Sequence, residues 1–236
     1  RQIQKIIRMK YKYMPPSMKN INNEIADALS TLIRHGINIE LKDEVRKRFD
    51  DDTLFDGDDG LFKSLTKDVN TYFEYGCGKS TEFMYRHSNC KIFAVDTSKF
   101  WVEKTKNISG LDKDERLNLK WIDVGDIGEW GYPKSFKMRK NFQDYANWFW
   151  KQNEIPNLVL IDGRFRVFCF LTSLKYGPIG TKIIFDDYIN RPQYHLVEEF
   201  SPVLDKCGRQ VLFEVTKKAK EMINDNTLLS FQNVIG

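Results

Sequence analysis

Three carboxylates stand where chemistry could be done. Asp162 closes the apolar run Leu158-Val-Leu-Ile-Asp162, and Asp186-Asp187 closes Lys182-Ile-Ile-Phe-Asp-Asp187. Arriving from two strand ends expected to be neighbours, they would repel one another unless a cation or a proton sat among them. Oxygen-only ligands at such a place suit Mg²⁺, so Asp162, Asp186 and Asp187 are the expected metal ligands. A second constellation lies upstream, Glu74-Tyr-Gly-Cys-Gly-Lys-Ser-Thr81. Glycines at 76 and 78 let the backbone turn tightly and approach a ligand, and the helix start that follows offers unpaired N–H groups. A nucleotide-type ligand is implied.

The string Gly-Lys-Ser-Thr invites a P-loop, but that pattern needs a glycine at position 73, where Phe73 stands. A dinucleotide loop fails at its third glycine, replaced by Thr81. What remains, ExGxGxST, resembles motif I of the class I S-adenosylmethionine-dependent methyltransferases, whose ligand presents an amino-acid end to the loop. The next strand, Ile92-Phe-Ala-Val-Asp96, ends in an acid twenty residues after Gly76, where a carboxylate can accept both ribose hydroxyls. The third ends Lys120-Trp-Ile-Asp123, and an acid at this place in that family often contacts the adenine. By the resemblance, Glu74, Gly76, Gly78, Ser80, Thr81, Asp96 and Asp123 bind S-adenosylmethionine. A lone Asp at a strand end also serves as a helix cap or turn residue.

Asp162 followed by Asp186-Asp187 is similar to the metal-dependent O-methyltransferases of the macrocin and catechol type. The resemblance implies that an ion holds and polarises a substrate hydroxyl beside the methylsulfonium. Those families commonly follow the first Asp with Gly and then Asp or His, whereas this chain has Gly163 and Arg164, with Arg166 beyond. An arginine cannot act as a base at neutral pH. Arg164 and Arg166 would fork onto a carboxylate or phosphate of the acceptor, or neutralise the aspartates and make a metal unnecessary. His195, in Asn190-Arg-Pro-Gln-Tyr-His195, and Tyr188 are the best-placed general-base candidates, although packing at a helix start is the commoner role for such a histidine. Asp162, His195 and Arg164 are therefore the expected catalytic residues. Trp130 and Tyr132, flanked by glycines and Pro133, suit a substrate wall or lid; Tyr145, Trp148 and Phe149 have the spacing of core packing.

The elements that must position these groups are legible from residue 70 onward. Strand-like runs at Tyr72–Tyr75, Lys91–Val95, Leu117–Ile122, Asn157–Ile161, Lys182–Phe185 and Gln210–Val215 alternate with helix-length segments. The pattern predicts an α/β, Rossmann-like three-layer α/β/α sandwich with a mostly parallel sheet. Ligands then sit beyond the carboxyl ends of the strands. Residues 70–236 are read as this domain and residues 1–69 as a helical N-terminal extension or cap. Within the extension, a basic amphipathic helix is stopped by Pro15-Pro16, and a second helix over 20–35 precedes an Asp-rich loop around Gly57.

The chain has 236 residues, 41% hydrophobic, with 37 Lys and Arg against 33 Asp and Glu, a net charge of +4. That suits a globular domain and no nucleic-acid partner. Apolar runs are strand-sized, below the ~18 residues a membrane helix needs. Cys77, Cys90, Cys169 and Cys207 form no CxxC pair, so a reducing, cytoplasmic setting is expected. A start at Arg1 without a signal-peptide pattern suggests a piece of something longer with an upstream domain. The expected function is methyl transfer to a hydroxyl of a small polar acceptor, a sugar or glycan first, as in polysaccharide biosynthesis. Two readings stand beside it: a non-catalytic cofactor-binding scaffold of a glycan-assembly protein, and a nucleotide-sugar transferase that uses Asp162 or Asp186-Asp187 with a divalent metal to hold a diphosphate, Asp56-Gly-Asp58 being a DxD lookalike.

Overall fold

Short runs rich in β-branched, aliphatic and aromatic residues make strands that are buried on both faces. In the computed structural model, which describes residues 54–55, 58–107 and 114–235, they form β1 (Thr71–Tyr75), β2 (Lys91–Asp96), β4 (Leu158–Ile161) and β5 (Lys182–Phe185). The more polar β3 (Leu117–Trp121) lies at one edge, and the hairpin β6 (Asp205–Cys207) and β7 (Gln210–Glu214) completes the other side. The sheet order is β3-β2-β1-β4-β5-β7-β6. All pairs from β3 to β5 are parallel, and β7 is antiparallel to both of its neighbours. The three-residue β6 was not among the expected strands; its Asp-Lys-Cys has no apolar period and forms only against β7.

Helices α1 (Gly60–Leu65), α2 (Lys79–His87), α3 (Lys99–Lys106), α4 (Lys140–Asn147), α5 (Arg166–Tyr176), α6 (Lys217–Met222) and α7 (Asp225–Phe231) cover the sheet. The period-2 alternation of each strand splits the core into two layers. Phe73, Tyr75, Val159, Ile161 and Phe185 pack with Phe142 and Tyr145 of α4 and Phe168 and Leu171 of α5. Tyr72, Ile92, Leu158 and Leu160 pack on the other side with Leu61 and Phe62 of α1 and Met84 of α2.

Residues 53–236 form one compact unit. Phe55, Leu61 and Phe62, expected in the extension, are thus buried with the sheet because their side chains complete its second layer. The helices expected over residues 1–19 and 20–35, and Asp56 with Gly57 of the Asp-rich loop, lie outside the described residues. No described helix is long and apolar enough to cross a membrane.

Strand order sets the site. The chain reverses direction across the sheet between β1 and β4, the place where open α/β sheets bind ligands. The ladder runs on past the strand ends: Gly76 N–H donates to Val95 C=O (2.8 Å), Asp162 N–H to Tyr75 C=O (3.0 Å) and Asp186 N–H to Ile161 C=O (3.0 Å). The ends of β2, β1, β4 and β5 therefore stand side by side.

Candidate active site

A cleft of about 460 Å³ opens at those four strand ends. Its wall includes Glu74, Gly76, Gly78 and Ser80 after β1, Asp96 after β2, Asp162 and Arg164 after β4, and Asp186 and Asp187 after β5. The approach of the β1 and β4 ends depends on glycine. Gly76 sits at φ +98°, and a Cβ on Gly163 would lie 2.1 Å from the Tyr145 hydroxyl and 2.7 Å from Gly76 N, so no side chain fits.

Glu74 is buried and works on the loop itself. Its carboxylate accepts hydrogen bonds from the hydroxyls of Ser80 and Thr81 (2.7 Å for Thr81), while the Thr81 hydroxyl also accepts the Gly78 N–H at 3.0 Å. Burial pushes the Glu74 carboxyl up to about 8 against the pull of those two hydroxyls. Thr81 is fully buried beneath the loop, so it shapes the turn from below.

Asp96 faces the same cleft. Its Oδ2 accepts the Cys77 N–H at 3.0 Å and its Oδ1 the Ser98 N–H at 2.6 Å, which fixes the carboxylate with lone pairs still available. Burial raises its pKa to about 6, opposed by those two N–H groups and the positive charge of Arg164.

Asp162, Asp186 and Asp187 come together as expected, with carboxylate oxygens within 4.8 Å of one another. Each is answered by a guanidinium. Arg166 reaches Asp162 at 3.0 Å and Asp187 at 3.2 Å, Arg191 reaches Asp187 at 2.6 Å, and Arg209 reaches Asp186 at 3.3 Å and Asp187 at 3.0 Å. Desolvation and the charge of Asp186 push Asp162 up to about 7 against the pull of Arg166. Desolvation likewise raises Asp186, opposed by Arg209.

The three carboxylates expected to hold magnesium are near enough to share one ion, and they are also paired with arginines. Three positive charges already balance three negative ones. A divalent ion would share these carboxylates with Arg166, whose side chain is 3% exposed and donates to Gly163 C=O, Asp186 C=O, Asp162 C=O and Asp162 Oδ1, while Asp186 Oδ1 is buried without a hydrogen-bond partner. Ion pairing, the other role the sequence allowed for Arg166, is the one the fold builds.

Arg164 takes a different course. It makes no ion pair among the described residues; its guanidinium lies over the Tyr132 ring at 4.1 Å, and its backbone N–H donates to the Tyr145 hydroxyl at 3.3 Å. Tyr132 and Trp130 line the cleft as the glycine-flanked loop suggested, and Trp130 stands 73% exposed at φ +56°. Asp187, which also lines the cleft, shares that left-handed backbone at φ +57°, as does the buried Phe165 at φ +55° between Arg164 and Arg166.

Two expected residues are not brought in. Asp123 is exposed beside a separate hollow at the β3 edge, where its carboxylate caps the turn by accepting the Gly125 N–H at 2.9 Å. His195 is exposed, stacked on Tyr188 with its Nε2 3.2 Å from Tyr188 C=O, because its neighbours Tyr194 and Val197 take the inward positions of the 3₁₀ segment Pro192–Glu199. Tyr188 is itself buried in the core, its hydroxyl donating to Glu198 at 3.0 Å. Conversely, the sequence reading did not single out Arg191 or Arg209. Arg209 arrives on the β6–β7 turn, which carries no motif; Arg191 follows Asp187 by four residues, a spacing that could have flagged it.

No family model and no curated protein matches the chain. Among solved structures it is similar to a methyltransferase-like protein from Silicibacter pomeroyi, with TM-score 0.64 and 28% identity over 72% of this chain and 89% of that one. A looser likeness, TM-score 0.46 and 15% identity, is to an O-methyltransferase from Bacillus cereus in complex with SAH, over 87% of this chain and 94% of that one.

Proposed function

We propose, for a chain that is a class I S-adenosylmethionine-dependent methyltransferase by fold, that it methylates a hydroxyl of a small polar acceptor, a sugar or glycan hydroxyl first. The observation that carries the reading is that the Glu74–Thr81 loop, Asp96 and Asp162 open into one cleft from three adjacent strand ends. S-adenosylmethionine, when bound, supplies a methyl carbon made electrophilic by its sulfonium.

The chain's own residues do the rest. Asp96, held by two N–H groups, accepts the ribose hydroxyls. Glu74 holds the loop whose glycines let the backbone close on the ligand. The Asp162 side chain keeps 34% of its surface open to the cleft. With that cofactor bound, Asp162 would take the proton of the acceptor hydroxyl as its oxygen receives the methyl group. The balance would be a methyl ether, a neutral thioether and protonated Asp162, which would return its proton to solvent. Trp130 and Tyr132 form the aromatic wall against which a sugar face packs. No metal step is part of the proposal, because the guanidiniums already balance the carboxylates.

Calorimetric titration with S-adenosylhomocysteine, with UDP and NAD⁺ as competitors, tests the cofactor class. Micromolar binding unaffected by UDP supports the reading; preference for UDP overturns it in favour of sugar transfer. Binding without turnover on any hydroxylated acceptor would favour a scaffold.

A further inference from the structure

The cleft holds four arginines, and three of them are spent. Arg166, Arg191 and Arg209 are committed to the aspartates. Arg164 is as buried as a core residue, 6% exposed, lines the cleft, and has its Nη1 shielded from solvent with no hydrogen-bond partner. Neither neighbouring carboxylate is hydrogen-bonded to it: Asp96 is held by the N–H groups of Cys77 and Ser98, and Asp162 Oδ1 takes Arg166. A buried guanidinium with an unanswered N–H is costly and calls for a partner, which an opposite charge from outside the chain would supply.

The stacking on Tyr132 narrows the chemistry. With one face covered by the ring, the guanidinium offers its donors edge-on, in the plane where a carboxylate or phosphate can bridge two N–H groups. Gly131 at φ +74° permits this packing: a Cβ there would meet the Thr97 hydroxyl at 2.5 Å and force the Tyr132 loop away. Thr97 in turn donates to Gly131 C=O at 2.9 Å, pinning the loop.

We propose that Arg164 is the anion receptor of the cleft, taking a carboxylate or phosphate oxygen of a bound ligand while Tyr132 holds the guanidinium plane. The inference rests on reading the cleft as a cofactor and acceptor site. Two sources offer this chemistry: the amino-acid carboxylate of the cofactor, and an acidic group on the acceptor, such as an acidic or phosphorylated sugar.

The experiment titrates the full chain and its Arg164→Gln variant with S-adenosylhomocysteine, with 5′-methylthioadenosine, which keeps the adenosine and thioether but lacks the carboxylate, and with inorganic phosphate. If the anion is the cofactor's, the variant loses about tenfold or more in S-adenosylhomocysteine affinity and stays within about twofold for methylthioadenosine. If it is the acceptor's, both nucleosides bind unchanged and phosphate binding to the methylthioadenosine-filled cleft falls by about tenfold or more. Equal losses for both nucleosides, or no change in any titration, overturn the proposal. Arg164→Lys keeps the charge without the fork, and carries the same titrations if the Gln variant does not fold. Wild-type chain that binds neither nucleoside would sink the methyltransferase reading alone. Phosphate titration of the empty cleft would then still test Arg164, with equal affinity in wild type and variant overturning its role.

Discussion

Arg166 stands 3.0 Å from Asp162 and 3.2 Å from Asp187, so a single buried guanidinium joins the ends of β4 and β5. It also donates to the main-chain carbonyls of Gly163, Asp162 and Asp186, which makes it a staple of the strand ends as much as a counter-charge. Arg191 and Arg209 complete the balance from the residue before the 3₁₀ segment and from the β6–β7 turn.

Removing that staple should be costly. Arg166→Met leaves clustered carboxylates short of one positive charge and strips three carbonyls of a donor. Breaking a buried pair from one side costs about 3–5 kcal/mol. Urea denaturation of wild type and variant measures it; a loss below about 1 kcal/mol would mean that Arg191 and Arg209 balance the cluster alone.

Asp162→Asn should abolish methyl transfer while leaving S-adenosylhomocysteine affinity within about twofold, since the amide keeps the shape and loses the basicity. The same assay with excess EDTA should run at an unchanged rate. Loss of activity with EDTA, restored by Mg²⁺, would show that an ion is held at the carboxylates alongside the arginines.

Asp96→Ala should weaken S-adenosylhomocysteine binding by about 1–3 kcal/mol, the usual effect of losing a charge-assisted hydrogen bond. In wild type the carboxyl titrates near 6, so affinity should be flat above that pH and decline below it as the better acceptor is protonated. Calorimetry at several pH values with the Asp96→Asn variant, which lacks the titration, isolates the effect. A wild-type decline that persists in the variant belongs to another group.

Glu74 predicts a stability slope. Its carboxyl moves from the ordinary 4.5 to about 8 on folding, so between those values the folded chain binds the proton that the unfolded chain has released. Stability from this group is full below about 4.5, falls as pH rises toward about 8, and is level beyond. Glu74→Gln, which cannot ionise, should flatten the curve and gain on wild type at alkaline pH. Thermal melting of both proteins across pH 5–9 reads it; parallel curves would show that Glu74 is ionised in the folded chain throughout.

Much of this molecule was legible without its structure, because the signals are local. An unbroken apolar run such as Leu158–Ile161 can only be a strand covered on both faces, and the residue after it must emerge at the sheet's edge. Hence Asp96, Asp162, Asp186 and Asp187 could be assigned to one rim, with Gly76 and Gly78 between them. The resemblance of Glu74–Thr81 to a cofactor loop needed nothing beyond its spacing.

Tertiary structure alone decided what those groups do to one another. Asp123 ends a strand by the same rule as Asp96, yet β3 is an edge strand and its turn closes on Gly125 outside the cleft. His195 and Arg191 lie four residues apart, but the 3₁₀ phase of Pro192–Glu199 turns the first outward, while the second stands just before that segment and reaches Asp187. Arg209 reaches Asp186 through a hairpin whose three-residue strand has no period of its own. Periodicity specifies which face of an element is buried; the partner of a charge depends on which strands the crossovers make neighbours. For that reason the aspartates could be read from the chain, and the arginines that answer them only from the fold.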